Sequence, residues 1–336
     1  MSQHQRPART VLVTGGGGFV GQAVCRQLAA RGDRPIAFQR GAGEALDGTG
    51  IAVRQGDIRE AADVTAAMAG CDAVIHTAGK AGPWGDPELY HAINVTGTKH
   101  VIAACRTHGI GELVFTSSPS VAHGGGDIEG ADESLPYPTE YAAAYPETKA
   151  AAEQLVMAAS DDRLATVSLR PHLVWGPGDN HLLPRLVQKA QGGTLKLPGA
   201  DKLIDTVYVD NAARAHLQAL DALGTNPPCH GKTYFISNDE PVPQADIIRD
   251  LLSAVGVNVR IRPISPKAAM VAGSLAEWWW KRQGLKSEPP VTRWAAEQLS
   301  TAHWYDISAA KRDLGYRPEI SIRDGLERLR VSNRDR

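Results

Sequence analysis

The sequence predicts an α/β protein built on a doubly wound parallel sheet, with a smaller lobe formed by the C-terminal half. Three observations predict this fold class. Short runs of aliphatic and β-branched residues recur along the first half of the chain, as is typical of buried parallel strands. Segments with helical spacing of apolar residues, each about ten to fifteen residues long, separate these runs. A glycine-rich stretch joins the first run to the first helical segment.

That glycine-rich stretch predicts a dinucleotide-binding unit of the Rossmann type. Val11–Val13 predicts a buried strand, and Thr14–Gly21 then fits T-G-x-x-G-x-x-G, with a helix opening inside it. Glycine permits the sharp strand-to-helix turn, and the N–H groups and dipole at the helix start can bind a pyrophosphate. A glycine-rich loop that binds no ligand is the alternative. The expected cofactor contacts in this stretch are Gly15, Gly18, Phe19, Val20 and Gly21.

The end of the second predicted strand, Arg34–Gln39, bears on the choice of cofactor. In a dinucleotide-binding sheet this strand end meets the adenosine ribose, where an acidic side chain accepts from the free 2′-hydroxyl and favours NAD. An arginine there can instead pair with a 2′-phosphate. The sequence has Gln39 followed by Arg40 and no acid, which favours NADP(H) over NAD(H). A solvated surface arginine is the alternative interpretation of Arg40.

The next three predicted strands lead to the carboxyl edge of the sheet, where ligands lie in this fold. They are Ile51–Arg54, Cys71–Ala78 and Leu113–Ser118, and a helix is predicted to open at Asn94. His76 also lies at a strand end, where a packing role is favoured over catalysis. Further cofactor contacts are therefore expected from Asp57, Ile58, Thr77, Ala78, Gly79 and Asn94. Capping of the next helix is the alternative role of Asp57.

Two features further along the chain carry the chemistry. Ser117 and Ser118 end a strand at the carboxyl edge, and Tyr145 and Lys149 form the pattern Y-x-x-x-K, which is followed by a predicted helix over Ala150–Ala159. Because residues four apart share a helix face, both side chains can enter one pocket. A tyrosine with a pKa of about 10 is a poor base at neutral pH, and a nearby ammonium would stabilise its phenolate. We therefore predict Ser118, Tyr145 and Lys149 as catalytic, with a surface tyrosine as the alternative.

Several motifs taken together resemble the extended short-chain dehydrogenases/reductases, and among them the 3β-hydroxysteroid dehydrogenase type. They are TGGGGFVG, NVTGT at Asn94–Thr98, TSSPSV at Thr116–Val121, YPETK at Tyr145–Lys149, LRPHLVWGPGD at Leu169–Asp179 and DTVYVDNAARAH at Asp205–His216. The resemblance implies that Ser118 binds the substrate oxygen, Tyr145 transfers the proton, and Lys149 holds the tyrosine and the cofactor ribose. It also implies that residues against the nicotinamide include Pro171, Leu173 and Val174.

Stretches of the second half are similar to a subgroup of this family. Arg170–Leu186 and Tyr234–Val242 resemble bacterial reductases of long-chain olefin biosynthesis, and also sterol-4-carboxylate 3-dehydrogenases. The first resemblance implies NADPH-dependent reduction of a 2-alkyl-3-oxoalkanoic acid to a 2-alkyl-3-hydroxyalkanoic acid. The alternatives are a 3β-hydroxysteroid or sterol-4-carboxylate dehydrogenase, a sugar-nucleotide epimerase or dehydratase, and a non-catalytic NADP-binding sensor. His172, His181 and Arg185 are candidate contacts near the substrate, and Arg185 is a candidate partner for its carboxylate. For each of the three, a helix-capping or surface role is the favoured alternative.

Composition restricts the classes of function. Hydrophobic residues make up 43% of the chain, charged residues 22%, and the formal net charge is −1, so we expect a globular protein without a nucleic-acid partner. The four cysteines show no metal-ligand spacing, so we predict no metal site and free thiols in a reducing compartment. The first ten residues lack an apolar signal core, and no apolar run is long enough to span a bilayer. These features predict a cytoplasmic protein.

The C-terminal half is expected to supply the substrate lobe. We predict a mainly NAD(P)-binding domain over residues 1–175 and a mainly substrate-binding lobe over 176–336, some of whose segments return to the first domain. Trp278-Trp279-Trp280 cannot all face one core from a single helix. One hypothesis is a mouth for long acyl chains or a contact with a membrane surface or partner enzyme. Two inward tryptophans and one chance surface residue are the slightly favoured alternative. A lipid-like small substrate is expected, and fold analogy adds a homodimer.

Overall fold

The computed structural model describes residues 7–43, 46–225 and 227–334. Over these residues the strands are β1 (Thr10–Thr14), β2 (Arg34–Gln39), β3 (Ala52–Gln55), β4 (Ala73–His76), β5 (Glu112–Thr116), β6 (Ile128–Ala131), β7 (Ala165–Pro171), β8 (Val174–Trp175), β9 (Thr194–Leu197), β10 (Leu203–Ile204), β11 (Val207–Tyr208), β12 (Lys232–Ile236), β13 (Val242–Pro243), β14 (Arg260–Pro263) and β15 (His303–Tyr305). The α-helices are α1 (Phe19–Ala30), α2 (Ala61–Ala67), α3 (Pro87–Tyr90), α4 (Gly97–His108), α5 (Ala144–Ala158), α6 (Leu182–Ala190), α7 (Val209–Thr225), α8 (Gln244–Ala254), α9 (Pro266–Arg282), α10 (Arg293–Gln298), α11 (Ser308–Asp313) and α12 (Ile322–Arg334).

A central sheet of seven parallel strands confirms the predicted fold class. Its order is β12-β7-β5-β4-β1-β2-β3, so the chain leaves β1 in one direction for β2 and β3 and in the other for β4 and β5. Successive residues of β1 face opposite sides of the sheet. Val11 and Val13 pack with residues of α1 and α7, whereas Leu12 packs with residues of α2, α4 and α5. The reversal between β1 and β4 opens a crevice at the carboxyl edge, where ligands bind in this fold.

The predicted and observed elements differ most at the helix expected to open at Asn94. The second strand is observed over Arg34–Gln39, as predicted. The helix before the fifth strand begins instead at Pro87, because Asp86 caps it by accepting from Glu88 N at 3.0 Å. A π-helical segment, His91–Thr96, then joins α3 to α4. Asn94 therefore lies inside a π-helical segment, a local irregularity that often accompanies functional sites.

The second half of the chain forms smaller sheets and also returns to the central one. Strands β13, β10, β15 and β6 form a four-stranded sheet, and β11-β8 and β14-β9 are parallel pairs. Strand β12 pairs with β7 at the edge of the central sheet, and α7 packs beside α1. One apolar core contains residues of both halves, from Val11 to Leu329. A domain division at residue 175 stays a prediction.

Some predictions concern single segments and thiols. Cys25, Cys105 and Cys229 are buried free thiols, and Cys71 is partly exposed. None of the helices within the described ranges combines the length and the apolar character needed to cross a membrane. The prediction that no secretory signal is present depends on residues 1–10, of which residues 1–6 lie outside the described ones.

Candidate active site

The glycine-rich loop between β1 and α1 forms one wall of a cleft. Gly15 has a φ of 68°, and a Cβ on it would lie 2.9 Å from the Ala78 backbone. A Cβ on Gly21 would lie 2.2 Å from the Gly15 carbonyl oxygen, so both positions require glycine. Gly18 caps α1 with no side-chain hydrogen bond, and the first turn of α1 holds no acidic residue. The positive end of the α1 dipole is therefore available to an anion such as a pyrophosphate.

The cleft follows the carboxyl edge of the central sheet in two adjoining parts of about 440 and 590 Å³. Both parts share Gly15, Ala78 and Gly79 in their walls. The larger part is lined by the predicted residues Arg40, Asp57 and Ile58. The smaller part holds most of the other predicted cofactor residues, namely Gly18, Phe19, Val20, Gly21, Thr77, Tyr145, Lys149, Pro171, Leu173 and Val174. Residues predicted from separate motifs thus surround one continuous space.

Asn94 is the exception among the predicted cofactor contacts, because it lies behind the cleft wall. It is buried, and its Oδ1 accepts from Lys80 N at 2.7 Å. Its Nδ2 donates to the Lys80 carbonyl at 3.1 Å and to Thr148 Oγ1 at 3.0 Å. Asn94 therefore fixes the loop after β4 against α5, and it acts on the cleft through Gly79 and Lys80.

The three predicted catalytic side chains meet in the smaller part of the cleft. Tyr145 and Lys149 lie in the first turns of α5, which begins at Ala144. Strand β5 ends at Thr116, two residues earlier than predicted, and Ser118 then caps a short 3₁₀ turn. Ser118 Oγ lies 2.9 Å from Ser120 Oγ, and Ser118 lines the same part of the cleft as Tyr145, close enough for its hydroxyl to lower the Tyr145 pKa. A serine, a tyrosine and a lysine are therefore gathered around one point of the cleft.

The protonation of this group differs from the expectation that Lys149 would lower the pKa of Tyr145. Desolvation by the surrounding protein raises the pKa of Tyr145, and the hydrogen bond to Ser118 offsets only part of that effect. Lys149 is buried, and its Nζ donates to the Thr116 carbonyl at 2.5 Å and lies 4.1 Å from the centre of the Phe115 ring. Burial lowers the pKa of Lys149 to about 7. The site therefore keeps the phenol protonated at neutral pH.

His76 has the packing role that was favoured over catalysis. The side chain is fully buried at the end of β4. Its Nδ1 lies 2.6 Å from Thr14 Oγ1, and its Nε2 lies 3.0 Å from Thr98 Oγ1. Burial lowers the pKa of His76 to about 3, so the ring is neutral and joins β1, β4 and α4.

Residues of α10 and β15, for which no individual role is predicted from the sequence, complete the wall opposite the glycine loop. Trp294, Gln298 and Tyr305 line the smaller part of the cleft. The Trp294 ring lies edge-on to the Tyr145 ring, with 5.9 Å between their centres and 63° between their planes. Thr292 caps α10 by accepting from the backbone N–H of Ala295 at 3.0 Å. The motifs PPVTRW and HWYDIS extend the family resemblance, and they were the available signal for this wall.

His172 lies in the cleft wall and uses both ring nitrogens in hydrogen bonds. Nδ1 lies 2.5 Å from Asp205 Oδ1, and Nε2 lies 3.1 Å from His303 Nδ1. His303 Nε2 donates to the Gln298 carbonyl at 2.7 Å, and burial lowers the pKa of His303 to about 3. His303 is thus neutral and accepts through Nδ1, while the Asp205 carboxylate also accepts from Tyr305 N at 3.0 Å. Both ring nitrogens of His172 are therefore engaged by neighbouring side chains, which fixes the orientation of the ring in the cleft wall.

The other two candidate substrate contacts occupy different places. His181 lines both parts of the cleft at the start of α6. Arg185 does not line either part, and its Nη2 pairs with Glu288 Oε2 at 2.9 Å on the surface. This pairing agrees with the favoured alternative for Arg185, a surface role, and the substrate contact stays a prediction. His172, which lines the cleft, is the better placed of the two residues.

A buried ion pair that sequence reasoning did not identify lies behind the catalytic side chains. Glu153, four residues after Lys149 on α5, bonds Arg170 with a shortest distance of 2.6 Å, and both are buried. Its carboxylate also accepts from Tyr137 Oη at 2.7 Å and Ser168 Oγ at 2.9 Å. Burial raises the pKa of Glu153, but the bonds from Arg170 outweigh it and lower the pKa overall. The charge of Glu153 in turn raises the pKa of Lys149.

The far end of the cleft fits the adenosine half of a dinucleotide. Gln39 Oε1 is buried and has no hydrogen-bond partner within the described ranges, so it is an acceptor left for a ribose hydroxyl. Arg40 is exposed at the rim of the same space, and its charge lowers the pKa of Asp57, although the bond from Arg59 has the larger effect. This end thus offers one arginine facing the cleft and no carboxylate at the end of β2.

Comparison with known proteins agrees with this geometry. Residues 12–264 match the 3-beta hydroxysteroid dehydrogenase/isomerase family. A Stenotrophomonas maltophilia protein named 2-alkyl-3-oxoalkanoate reductase is 50% identical over 96% of this chain and 99% of its own length. A Shewanella oneidensis protein of the same name is 44% identical over 95% of this chain and 85% of its own. The human sterol-4-alpha-carboxylate 3-dehydrogenase, decarboxylating, is 30% identical over 97% and 88%.

The fold is also similar to a solved structure of another enzyme. The complex of Thermus thermophilus UDP-glucose 4-epimerase with NAD has a TM-score of 0.73 at 24% identity, over 96% of this chain and 98% of that one. At this identity the likeness concerns the fold alone. The family match and the near full-length relatives confirm the resemblance predicted from the motifs. The chain belongs to the 3-beta hydroxysteroid dehydrogenase/isomerase family and is an NAD(P)-dependent oxidoreductase.

Proposed function

We propose that the protein is an NADPH-dependent reductase that converts a 2-alkyl-3-oxoalkanoic acid to the corresponding 2-alkyl-3-hydroxyalkanoic acid. The observation that carries the proposal is the position of Tyr145 in the cleft, beside Ser118 and Lys149 and kept protonated by desolvation. A protonated phenol is the acid that the reduction of a ketone requires. The two relatives named 2-alkyl-3-oxoalkanoate reductase support the substrate class.

Each catalytic side chain has a distinct part in the proposed reaction. The nicotinamide cofactor supplies, when bound, the hydride that adds to the C3 carbonyl carbon. Ser118 donates a hydrogen bond to the carbonyl oxygen, and Tyr145 transfers its proton to that oxygen as negative charge develops there. Lys149 holds the ribose, and its ammonium stabilises the phenolate that Tyr145 becomes. The carbonyl gains one hydride and one proton, and Tyr145 regains its proton from solvent.

The position of His172 supports an acidic substrate. Its ring lies in the cleft wall next to Pro171, whereas its partner Asp205 is buried behind it. In this proposal the His172 ring lies beside the substrate carboxylate, which is two bonds from the reacting carbon. We expect His172→Gln to raise KM more for the 3-hydroxy acid than for its methyl ester, measured in the oxidation direction.

We also propose that NADP(H) is preferred over NAD(H). The support is the pair of residues at the end of β2, where Arg40 faces the cleft and Gln39 replaces the acid that would bind a free 2′-hydroxyl. Gly15, Gly18 and the other lining residues of the loop contact the pyrophosphate in this proposal. Steady-state KM values for NADPH and NADH with one substrate test the preference directly.

The deciding experiment follows two reactions with the same protein. The first assay measures NADPH consumption with a long-chain 2-alkyl-3-oxo acid, and the second measures NAD(P)⁺ reduction with a 3β-hydroxysteroid. Because the free keto acid decarboxylates, oxidation of the stable 2-alkyl-3-hydroxy acid is measured as well. Turnover of the acyl substrates alone supports the proposal. Turnover of the steroid alone would replace it with the sterol dehydrogenase function, which the human relative favours. Loss of turnover in Tyr145→Phe with intact cofactor binding separates both from a non-catalytic sensor.

Location and assembly complete the proposal. We propose a cytoplasmic protein with a lipid-like small substrate, and contact with a membrane surface or partner enzyme through the exposed tryptophans of α9. Of the three adjacent tryptophans, Trp278 and Trp279 are exposed, so the alternative in which two of them pack inward is wrong. A homodimer is proposed on fold analogy, and light scattering across a dilution series tests it.

A further inference from the structure

The outward face of α9 is apolar, which is the reverse of an ordinary surface helix. Ala269 and Gly273 are buried on the inner face, and a Cβ on Gly273 would lie 2.9 Å from the Arg293 backbone N. The side chains on the opposite face are 59% exposed at Val271, 60% at Leu275 and 60% at Trp278. Helical spacing places these three on one line, since they stand four and three residues apart. We call them, with Trp279 at 49% exposure, the α9 stripe.

The packing of the fold does not explain why these apolar side chains are exposed to water. Large apolar side chains that stay about half exposed or more add little stability to the folded chain, whereas contiguous exposed apolar surface marks an interaction site. The remaining tryptophan of the run, Trp280, is half-buried, and its indole N–H donates to Ser287 Oγ at 3.3 Å. One tryptophan therefore anchors the end of α9, and the other two face outward.

The charges beside the stripe are mainly positive. Residues 266–288 contain four basic side chains and two acidic ones, and the basic ones are all exposed: Lys267, Lys281, Arg282 and Lys286. Both acids are already engaged, because Glu277 accepts from Arg293 N at 2.6 Å and Glu288 pairs with Arg185. Lys281 Nζ lies 5.8 Å from the Trp84 ring centre. The free charge around the stripe is thus complementary to a negative surface.

We propose that the α9 stripe docks on the surface of an anionic lipid bilayer. Tryptophans at one end of an apolar helix face, flanked by lysine and arginine, match the lipid interface, where indoles sit at headgroup level and cations meet acidic lipids. The exposed basic side chains beside the stripe favour an anionic bilayer over a second copy of the chain, which would bring the same positive charges together. The lining wall of the active site is close by, because α9 packs on α10, whose Trp294 contacts Tyr145. The docked protein would meet its lipid-like substrate at the membrane, a consequence that rests on the proposed function.

The test is vesicle co-sedimentation of the full chain without substrate or cofactor, so that its result is independent of the reaction. Vesicles of phosphatidylcholine with phosphatidylglycerol are compared with phosphatidylcholine alone. We expect binding to the anionic vesicles, with a blue shift of tryptophan fluorescence. Trp278→Ser/Trp279→Ser should weaken binding by about tenfold or more. Lys281→Gln/Arg282→Gln should weaken it about tenfold at low salt and little at high salt.

Controls keep the result specific to this surface. Arg323→Gln/Arg334→Gln removes two exposed cations of α12 and should leave vesicle binding unchanged. Thermal melting of each variant checks the fold. Absence of binding, equal binding to both vesicle types, or binding unaffected by the tryptophan substitutions would overturn the proposal. A dimer that dissociates in Trp278→Ser/Trp279→Ser, without any vesicle binding, would also overturn it and assign the stripe to a second copy of the chain.

Discussion

The two ends of the cleft solve different physical problems. At the adenosine end, Arg40 is exposed, Gln39 supplies a neutral acceptor, and the glycine loop supplies backbone N–H groups. At the catalytic end, Lys149 is buried and His172 is held by a carboxylate and a second histidine. Electrostatic effects at the first end are screened by water and salt, whereas at the second end burial alone moves pKa values by several units. We therefore expect single substitutions to change the preference between NADPH and NADH only modestly, and to change the turnover rate strongly.

Tyr145→Phe should produce the largest effect, because it removes the proton donor at the buried end. We expect kcat for ketone reduction to fall by about 10²–10⁴-fold, while NADPH binding, followed by fluorescence titration, stays within about twofold because the phenyl ring still fills the wall. Tyr141→Phe is the matched control, since Tyr141 Oη only donates to the Val121 carbonyl at 2.9 Å. Equal losses in both variants would mean that Tyr145 is not the acid.

Glu153→Gln tests whether the ion pair behind the catalytic end supports the fold. Replacing a carboxylate that bonds Arg170, Tyr137 and Ser168 leaves a buried guanidinium without its counter-charge. Such a loss costs about 3–5 kcal/mol of the free energy of unfolding, measured by urea denaturation. Glu147→Gln, at an exposed site on the same helix, should change it by less than about 0.5 kcal/mol. If Glu153→Gln lowers the free energy of unfolding no more than the control does, the ion pair does not support the fold.

The pH dependence of cofactor binding measures the charge of Lys149. The pKa of Lys149 is lowered to about 7, so the ammonium is present below that pH and is lost as pH rises through it. NADPH affinity should therefore weaken by up to about tenfold for each pH unit above about 7. Lys149→Arg should remove this dependence, because a guanidinium stays protonated. A flat profile between pH 6 and 9 in the unaltered protein would contradict the buried charge.

The two ends of the cleft also differ in how many of their residues could be predicted from the sequence. The adenosine end comes from contiguous motifs, so Gly15, Gly21 and Arg40 could be placed from local pattern alone. The catalytic end combines α5 with Trp294 and Tyr305, which follow Tyr145 by well over a hundred residues. No periodicity predicts that α10 and β15 fold back there, because strand pairing across the four-stranded sheet sets their position.

The partners of other charged residues could not be predicted because pairing depends on charge and burial, and separation along the chain was not the obstacle. Glu153 follows Lys149 at helical spacing, so its place on the α5 face was predictable, but its partner Arg170 lies within an apolar strand. Arg185 was a candidate substrate contact because of its charge, with a surface role favoured, and no pattern in the sequence indicates that Glu288 pairs with it. A sequence pattern thus indicates which side chains point inward. It is a poorer guide to which charged side chains pair with one another.

Of these substitutions, Arg40→Ser should have the smallest effect on the enzyme, because it changes a residue at the exposed adenosine end of the cleft. Losing one exposed guanidinium should raise KM for NADPH by about five- to tenfold at low ionic strength and leave KM for NADH unchanged, because only the first carries a 2′-phosphate. The difference should shrink as salt is added, since the Debye length is about 10 Å at 0.1 M. Arg34→Ser, at the other end of β2, is the matched control. Equal changes in both KM values would show that Arg40 shapes the loop without reading the phosphate.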